Sequence, residues 1–111
     1  INKLGKDHTS VATSYNNIAK VYRAQNKYDK ALEYYNKSLD IYINKLGKDH
    51  TDVAMTYNNI GLLYENQKEY KEALEYYNKA LPIRMNKFGD DHPKTKKTLR
   101  QIQRCKNRLG M

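Results

Sequence analysis

The chain has 111 residues, the length of one small domain, and carries 21 Lys+Arg against 12 Asp+Glu for a net charge of +9. Residues 93–111 hold seven basic residues and no acidic one, so the rest is a nearly balanced body and the basicity belongs to one end. No apolar run approaches the roughly 20 residues of a membrane span, and a single cysteine, Cys105, excludes a disulfide framework and a cysteine-based metal site.

Along the chain, an internal repeat decides the organisation. Residues 1–42 and 43–84 are identical at about 27 of 42 positions, and a third copy starts at Met85-Asn86-Lys87-Phe88-Gly89 and ends as a single helix. A period in the range of roughly 20–50 residues means stacked units, each burying its apolar face on the next. The opening Ile1-Asn2-Lys3 lacks an initiator Met and the apolar core of a signal peptide, which reads as an excised piece. Residues 1–7 match 43–49, the end of a second helix, so the parent array is expected to continue toward its N-terminus.

Within a unit the apolar spacing is helical. Val11, Tyr15, Ile18 and Tyr22 fall on one stripe, and Tyr28, Ala31, Leu32, Tyr35 and Leu39 on the next. Val53, Tyr57, Ile60 and Tyr64, then Tyr70, Ala73, Leu74, Tyr77 and Leu81, repeat both. Breaks are expected at Asn26-Lys27 and Lys68-Glu69 inside units and at Gly5, Gly47 and Gly89 between them. Gly can end a helix in the left-handed conformation, an Asp or Thr of the following Asp-His-Thr can cap the next helix, and Pro93 suits a first turn. The spacing predicts five antiparallel helices near 8–25, 28–45, 50–67, 70–87 and 92–109. Pro82 inside the fourth should bend it. The fifth lacks the aromatic at Lys106 and the small residue at Gln103, as a solvating cap would.

Tyr15-x2-Ile18-Ala19-x2-Tyr22 with Ala31-x3-Tyr35, and Tyr57-x2-Ile60-Gly61-x2-Tyr64 with Ala73-x3-Tyr77, resemble the tetratricopeptide repeat (TPR) signature. The 42-residue period, the Leu-Gly-Lys-Asp-His linker and Tyr-Asn-Asn-Ile look like kinesin-light-chain-type repeats. The resemblance implies an all-α helical-repeat solenoid forming one domain. Repeat 1 would cover about 8–45, repeat 2 about 50–87 and a capping helix about 92–109. Where that family often has Gly between paired helices, this chain has Asn26 and Lys68. Lys is strained in the left-handed conformation, and a straightened, domain-swapped homo-oligomer is one consequence considered.

Chemistry is thinly represented. His8, His50 and His92 recur once per unit in the interhelical turn, so they cannot converge on a metal and read as turn and cap residues. Cys105 lies between Arg104 and Lys106 with no partner His nearby in sequence, which favours packing over reactivity. No phosphate loop, paired carboxylate motif or Ser/His/Asp arrangement is present. The expectation is a non-enzyme without cofactor or metal.

The resemblance implies binding on the concave surface made by the first helix of each unit. Its positions fall on Thr13, Asn16, Asn17, Lys20 and Ala24, on Met55, Asn58, Asn59, Leu62 and Asn66, and on Lys97, Arg100, Gln101, Arg104 and Arg108. Asn side chains, with an acceptor and a two-hydrogen donor, can hold the backbone of an extended peptide. Lys20, Lys97, Arg100 and Arg104 suit its negative groups. The expected peptide contacts are therefore Asn16, Asn17, Lys20, Asn58, Asn59, Leu62, Lys97, Arg100 and Arg104, and the partner an acidic peptide or protein segment. The set resembles the carboxylate clamp of chaperone-binding TPRs only in part, because Asn16 and Gln101 stand where cations are expected.

Nucleic-acid binding through the basic last helix is the alternative, and the lack of any aromatic after Phe88 argues against it. Self-association by end-to-end stacking of the uncapped first helix is another. No membrane association is expected, and the single thiol points to the cytoplasm.

Overall fold

The computed structural model describes residues 8–111, and Gly5 lies outside the described residues. It contains five helices: α1 (Thr9–Ala24), α2 (Tyr28–Leu46), α3 (Thr51–Asn66), α4 (Tyr70–Phe88) and α5 (Pro93–Arg108). The boundaries follow the sequence expectation to within a residue or two. α1 packs on α2 and α3 on α4 as helical hairpins, α2 meets α3 across the unit boundary, and α4 carries α5.

The starts of α1, α3 and α5 are capped by histidine, as the reading of the three His as turn and cap residues has it, and not by the neighbouring Asp or Thr, while α2 and α4 start without a side-chain cap. The Nδ1 atoms of His8, His50 and His92 accept from the backbone N–H of Ser10, Asp52 and Lys94 at 3.0, 3.0 and 3.1 Å. An N-terminal turn has backbone N–H groups without intrahelical partners, and in this linker the imidazole reaches one first. α2 and α4 end where Gly47 and Gly89 adopt φ of 94° and 83°, which an L side chain rarely accepts. Asn26 and Lys68 take the same left-handed region at φ 62° and 63° within the hairpin turns. The sequence reading of those two positions is thus the observed one, strained lysine included. α4 runs through Pro82 without interruption.

Three apolar clusters link the layers. Ala12, Ile41, Tyr42, Val53, Ala54, Ala80 and Ile83 hold the unit boundary. Ala19, Ala31, Tyr35, Ile60 and Leu63 join the first unit to the second. Ala73, Tyr77, Ile102 and Cys105 seat α5. Close approach inside the second hairpin requires Gly61, where an added Cβ would stand 2.6 Å from a ring carbon of buried Tyr77. Cys105 is fully buried, and that burial pushes its thiol up to about 11, so it is a packing residue rather than a reactive thiolate.

Candidate functional site: the face of α1, α3 and α5

The first helices of the units lie side by side and are stitched by buried amides. Between α1 and α3, Asn16 Nδ2 donates to Thr56 Oγ1 at 3.4 Å. Between α3 and α5, Thr98 Oγ1 donates to Asn58 Oδ1 at 2.9 Å and Asn58 Nδ2 donates to Gln101 Oε1 at 2.8 Å. Arg84, buried at the end of α4, donates to Thr98 Oγ1 at 2.9 Å and to the Lys94 carbonyl at 3.3 Å. Burial lowers the pKa of this guanidinium, which has no carboxylate partner among the described residues.

These seams sort the sequence-predicted residues into two groups. Asn16 and Asn58 are 2% and 4% exposed, so they join helices and cannot reach a ligand while the helices stay packed. Their spacing placed them beside the open face, but a residue one position off that face turns into the neighbouring helix. Asn17, Lys20 and Lys97 are exposed, while Asn59 and Leu62 are half-buried. By helical spacing Asn17 with Asn59, Lys20 with Leu62, and Lys97 with Thr13 and Met55 are equivalent positions of the copies, on the side of α1, α3 and α5 where Asn66 also falls. Arg100 is exposed but stands at the position of Asn16 and Asn58, which puts it on the outer flank of α5.

Arg104 is already engaged. Its Nε bonds Glu65 Oε2, and its Nη2 bonds Glu65 Oε1 at 2.8 Å. Tyr77 Oη donates to the same Oε1 at 2.7 Å. Burial alone would raise the Glu65 pKa, but the hydrogen bonds from Arg104 and Tyr77 and the charges of Arg104 and Arg108 outweigh it and hold the carboxyl below its ordinary value. The same carboxylate raises the Arg104 pKa against a smaller opposing effect of burial. For Tyr77, burial and Glu65 together push the hydroxyl up. Arg108 stacks over Tyr70 at 5.8 Å. Of the four cations the sequence reading put on this side of α5, Arg104 and Arg108 are therefore occupied within the chain.

The equivalent of Glu65 in the first unit is Arg23, and sequence reasoning passed over both. Arg23 Nε is buried without a hydrogen-bond partner, and so are Asn59 Nδ2 and Asn16 Oδ1. Tyr35 stands where Tyr77 stands in the second unit. Burial raises its pKa and Arg23 beside it pulls the other way. A reversal from Arg to Glu within otherwise near-identical copies was the signal available in the sequence.

Among the described residues no group of three or more His, Cys, Asp or Glu could hold a metal ion, and no helix is long and apolar enough to cross a membrane. The tetratricopeptide repeat model matches residues 1–44, 10–86 and 52–111. Among solved structures, BtubC (BKLC) from P. vanneervenii superposes with a TM-score of 0.89 at 26% identity, covering 95% of this chain and 42% of that one. A putative kinesin light chain from Podospora anserina with nearly identical TPR-like repeats gives a TM-score of 0.84 at 19% identity, covering 97% of this chain and 51% of that one. A substituted form of that same protein gives 0.77 at 19% identity, covering 98% and 51%. The chain thus spans about half the length of these structures or less. No curated protein matches it.

Proposed function

The chain belongs to the tetratricopeptide repeat family, whose members are generally non-catalytic scaffolds that mediate protein–protein interaction, and from that premise we propose that its α1–α3–α5 face is a groove binding an extended, acidic peptide segment. The observation that carries this reading is the open surface itself. Asn17, Lys20, Asn59, Leu62 and Lys97 fall on that side of the three helices by their spacing, and neither lysine has an ion-pair partner among the described residues. The exposed amide of Asn17 suits a peptide backbone, and Leu62 with Met55 offers an apolar patch for one side chain. The function needs no cofactor. A buried, unreactive Cys105 as the sole cysteine fits a reducing compartment such as the cytoplasm.

Fluorescence polarisation with a labelled peptide of alternating Glu and Ala, and with its Gln counterpart, tests the reading. Wild type should bind the Glu peptide, prefer it to the Gln peptide, and lose it in Lys20→Glu/Lys97→Glu. Equal binding of both peptides, or full binding by the double variant, would sink the proposal. Single-stranded RNA is the competing arm. Binding to RNA tighter than to heparin and selective for sequence would favour nucleic acid, whereas a steep salt dependence alone reflects counterion release. Self-association rests on a separate feature of α1, the partly exposed Ile18 and Val21, 39% and 55% exposed.

A further inference from the structure

α1, α3 and α5 carry one stripe at equivalent positions, and two of its three copies are buried. On α3 it is Val53, Ile60 and Leu63, all fully buried, and on α5 it is Thr95, Ile102 and Cys105, at most 7% exposed. Spacings of 7 and 3 residues keep each set on one side of its helix. Ile60 and Leu63 cluster with Tyr35 of α2, with Leu32 and Leu39 packed against them. Ile102 and Cys105 cluster likewise with Tyr77 of α4, beside Leu74 and Leu81. The covering segment is nearly the same octapeptide twice, Leu-Glu-Tyr-Tyr-Asn-Lys-Ser-Leu at 32–39 and its copy with Ala for Ser at 74–81. On α1 the stripe is Val11, Ile18 and Val21, as apolar as on α3, yet Ile18 and Val21 are 39% and 55% exposed. Ser14 beside them donates its hydroxyl to the Ser10 carbonyl at 3.1 Å, as Thr56 does to Asp52 at 3.0 Å, so covering the stripe strands no hydroxyl donor. The charged residues of α1, Lys20 and Arg23, lie off the stripe, whereas α5 carries seven basic residues. α5 is composed to meet water, and α1 has the composition of an interior helix.

We propose that Val11, Ile18 and Val21 form a docking surface for an amphipathic helix of a partner protein, one that carries Leu-x2-Tyr-x3-Leu. The occupant follows from the two buried copies, where a helix with that stripe fills the same place. A second folded copy of this chain does not supply it, because its Tyr35 and Tyr77 are 1% and 0% exposed, already packed between helices. Burial of apolar area drives the docking, so its affinity should vary little with salt. The surface is distinct from the groove positions Thr13, Asn17, Lys20 and Ala24, which fall on another stripe of α1. The chain would thus hold two partners at once, an acidic peptide in the groove and an apolar helix at the end of the array.

The probe is a labelled peptide of residues 28–46, with a control peptide carrying Leu32→Asp, Tyr35→Asp and Leu39→Asp. In fluorescence polarisation wild type should bind the first peptide and bind the control at least about tenfold more weakly. Ile18→Gln/Val21→Gln should lose the first peptide by a similar factor, keep the groove's Glu/Ala peptide, and melt within about 2 °C of wild type, since both positions are exposed. In 15N spectra the amide shifts on adding the peptide should centre on Val11, Ser14, Ile18 and Val21. Sedimentation of the chain alone should show a monomer. No binding by wild type, equal binding of the control peptide, or full binding by the double variant overturns the docking surface. Shifts centred on α3 overturn it too, because they mean that the peptide displaces α2. A dimer that Ile18→Gln/Val21→Gln dissociates would give the stripe to a second copy and remove the partner helix.

Discussion

The two hairpins of this chain are nearly the same sequence placed in different surroundings. Ile60 and Leu63 on α3 are fully buried against the first unit, whereas their counterparts Ile18 and Val21 on α1 are 39% and 55% exposed. Tyr77 presses on Gly61 where Tyr35 meets Ala19. Asn58 has both ends of its amide satisfied by Thr98 and Gln101, whereas Asn16 makes one longer bond to Thr56 and leaves its oxygen without a partner. The second unit is held on both sides, by α2 before it and α5 after it. The lesson is that a repeat's stability lies in its neighbours as much as in its own residues, so identical substitutions in the two units should have unequal effects.

The largest contrast should come from truncating the equivalent apolar residues. Leu63→Ala removes a fully buried side chain and is expected to cost about 2–5 kcal/mol, while Val21→Ala, at a half-exposed position, should stay within roughly 0.5 kcal/mol. Urea unfolding of both variants measures this, and equal losses would refute the unequal-neighbour account. A smaller contrast follows from the hairpin contact. Gly61→Ala gains roughly 1 kcal/mol of helix propensity but drives a Cβ into the buried Tyr77 ring, whose hydroxyl is tied to Glu65. Overpacking of that kind costs about 1–3 kcal/mol. Net destabilisation and a lowered melting temperature are expected, although Ala is the natural residue at Ala19. A stabilised Gly61→Ala protein would show that Tyr77 moves freely.

The smallest contrast is in pH dependence. Glu65 has its folded pKa depressed, so its contribution to stability is fully present above the unfolded value of about 4.3 and fades as pH falls through the lower folded value. Glu65→Gln should therefore be less stable than wild type at neutral pH, with the gap closing below about pH 4. Thermal melts of the two proteins across that range check the sign. Arg23 has no such carboxylate, so the first unit should add nothing of this kind. A gap that persists unchanged into acid would mean Glu65 acts by shape rather than charge.

Much of the fold was legible in the sequence because each unit states its pattern twice. The stripes of Tyr, Ile and Ala fixed the helices, Gly47 and Gly89 fixed their ends, and Asn26 and Lys68 marked the hairpin turns. The caps were legible in part, since the three His read as turn and cap residues alongside Asp and Thr. Asp, His and Thr stand together in the linker, and only the backbone path decides which side chain meets the free N–H groups. The candidate site was legible to a lesser degree. Positions of the open surface could be counted along α1, α3 and α5. Whether an amide at such a position faces solvent or the adjacent helix depends on an angular offset of one residue.

The sequence by itself therefore determined the repeat, the five helices, the polar last helix and the family, since all follow from periodicity along one chain. Only the tertiary structure decided which charges are free. Arg104 and Glu65 lie 39 residues apart and meet because α3 and α5 are stacked. In the first unit the counterparts of Glu65 and Arg104 are Arg23 and Leu62, which cannot form such a pair. Pairing of charges is a property of distances between helices, and no spacing along the chain encodes it.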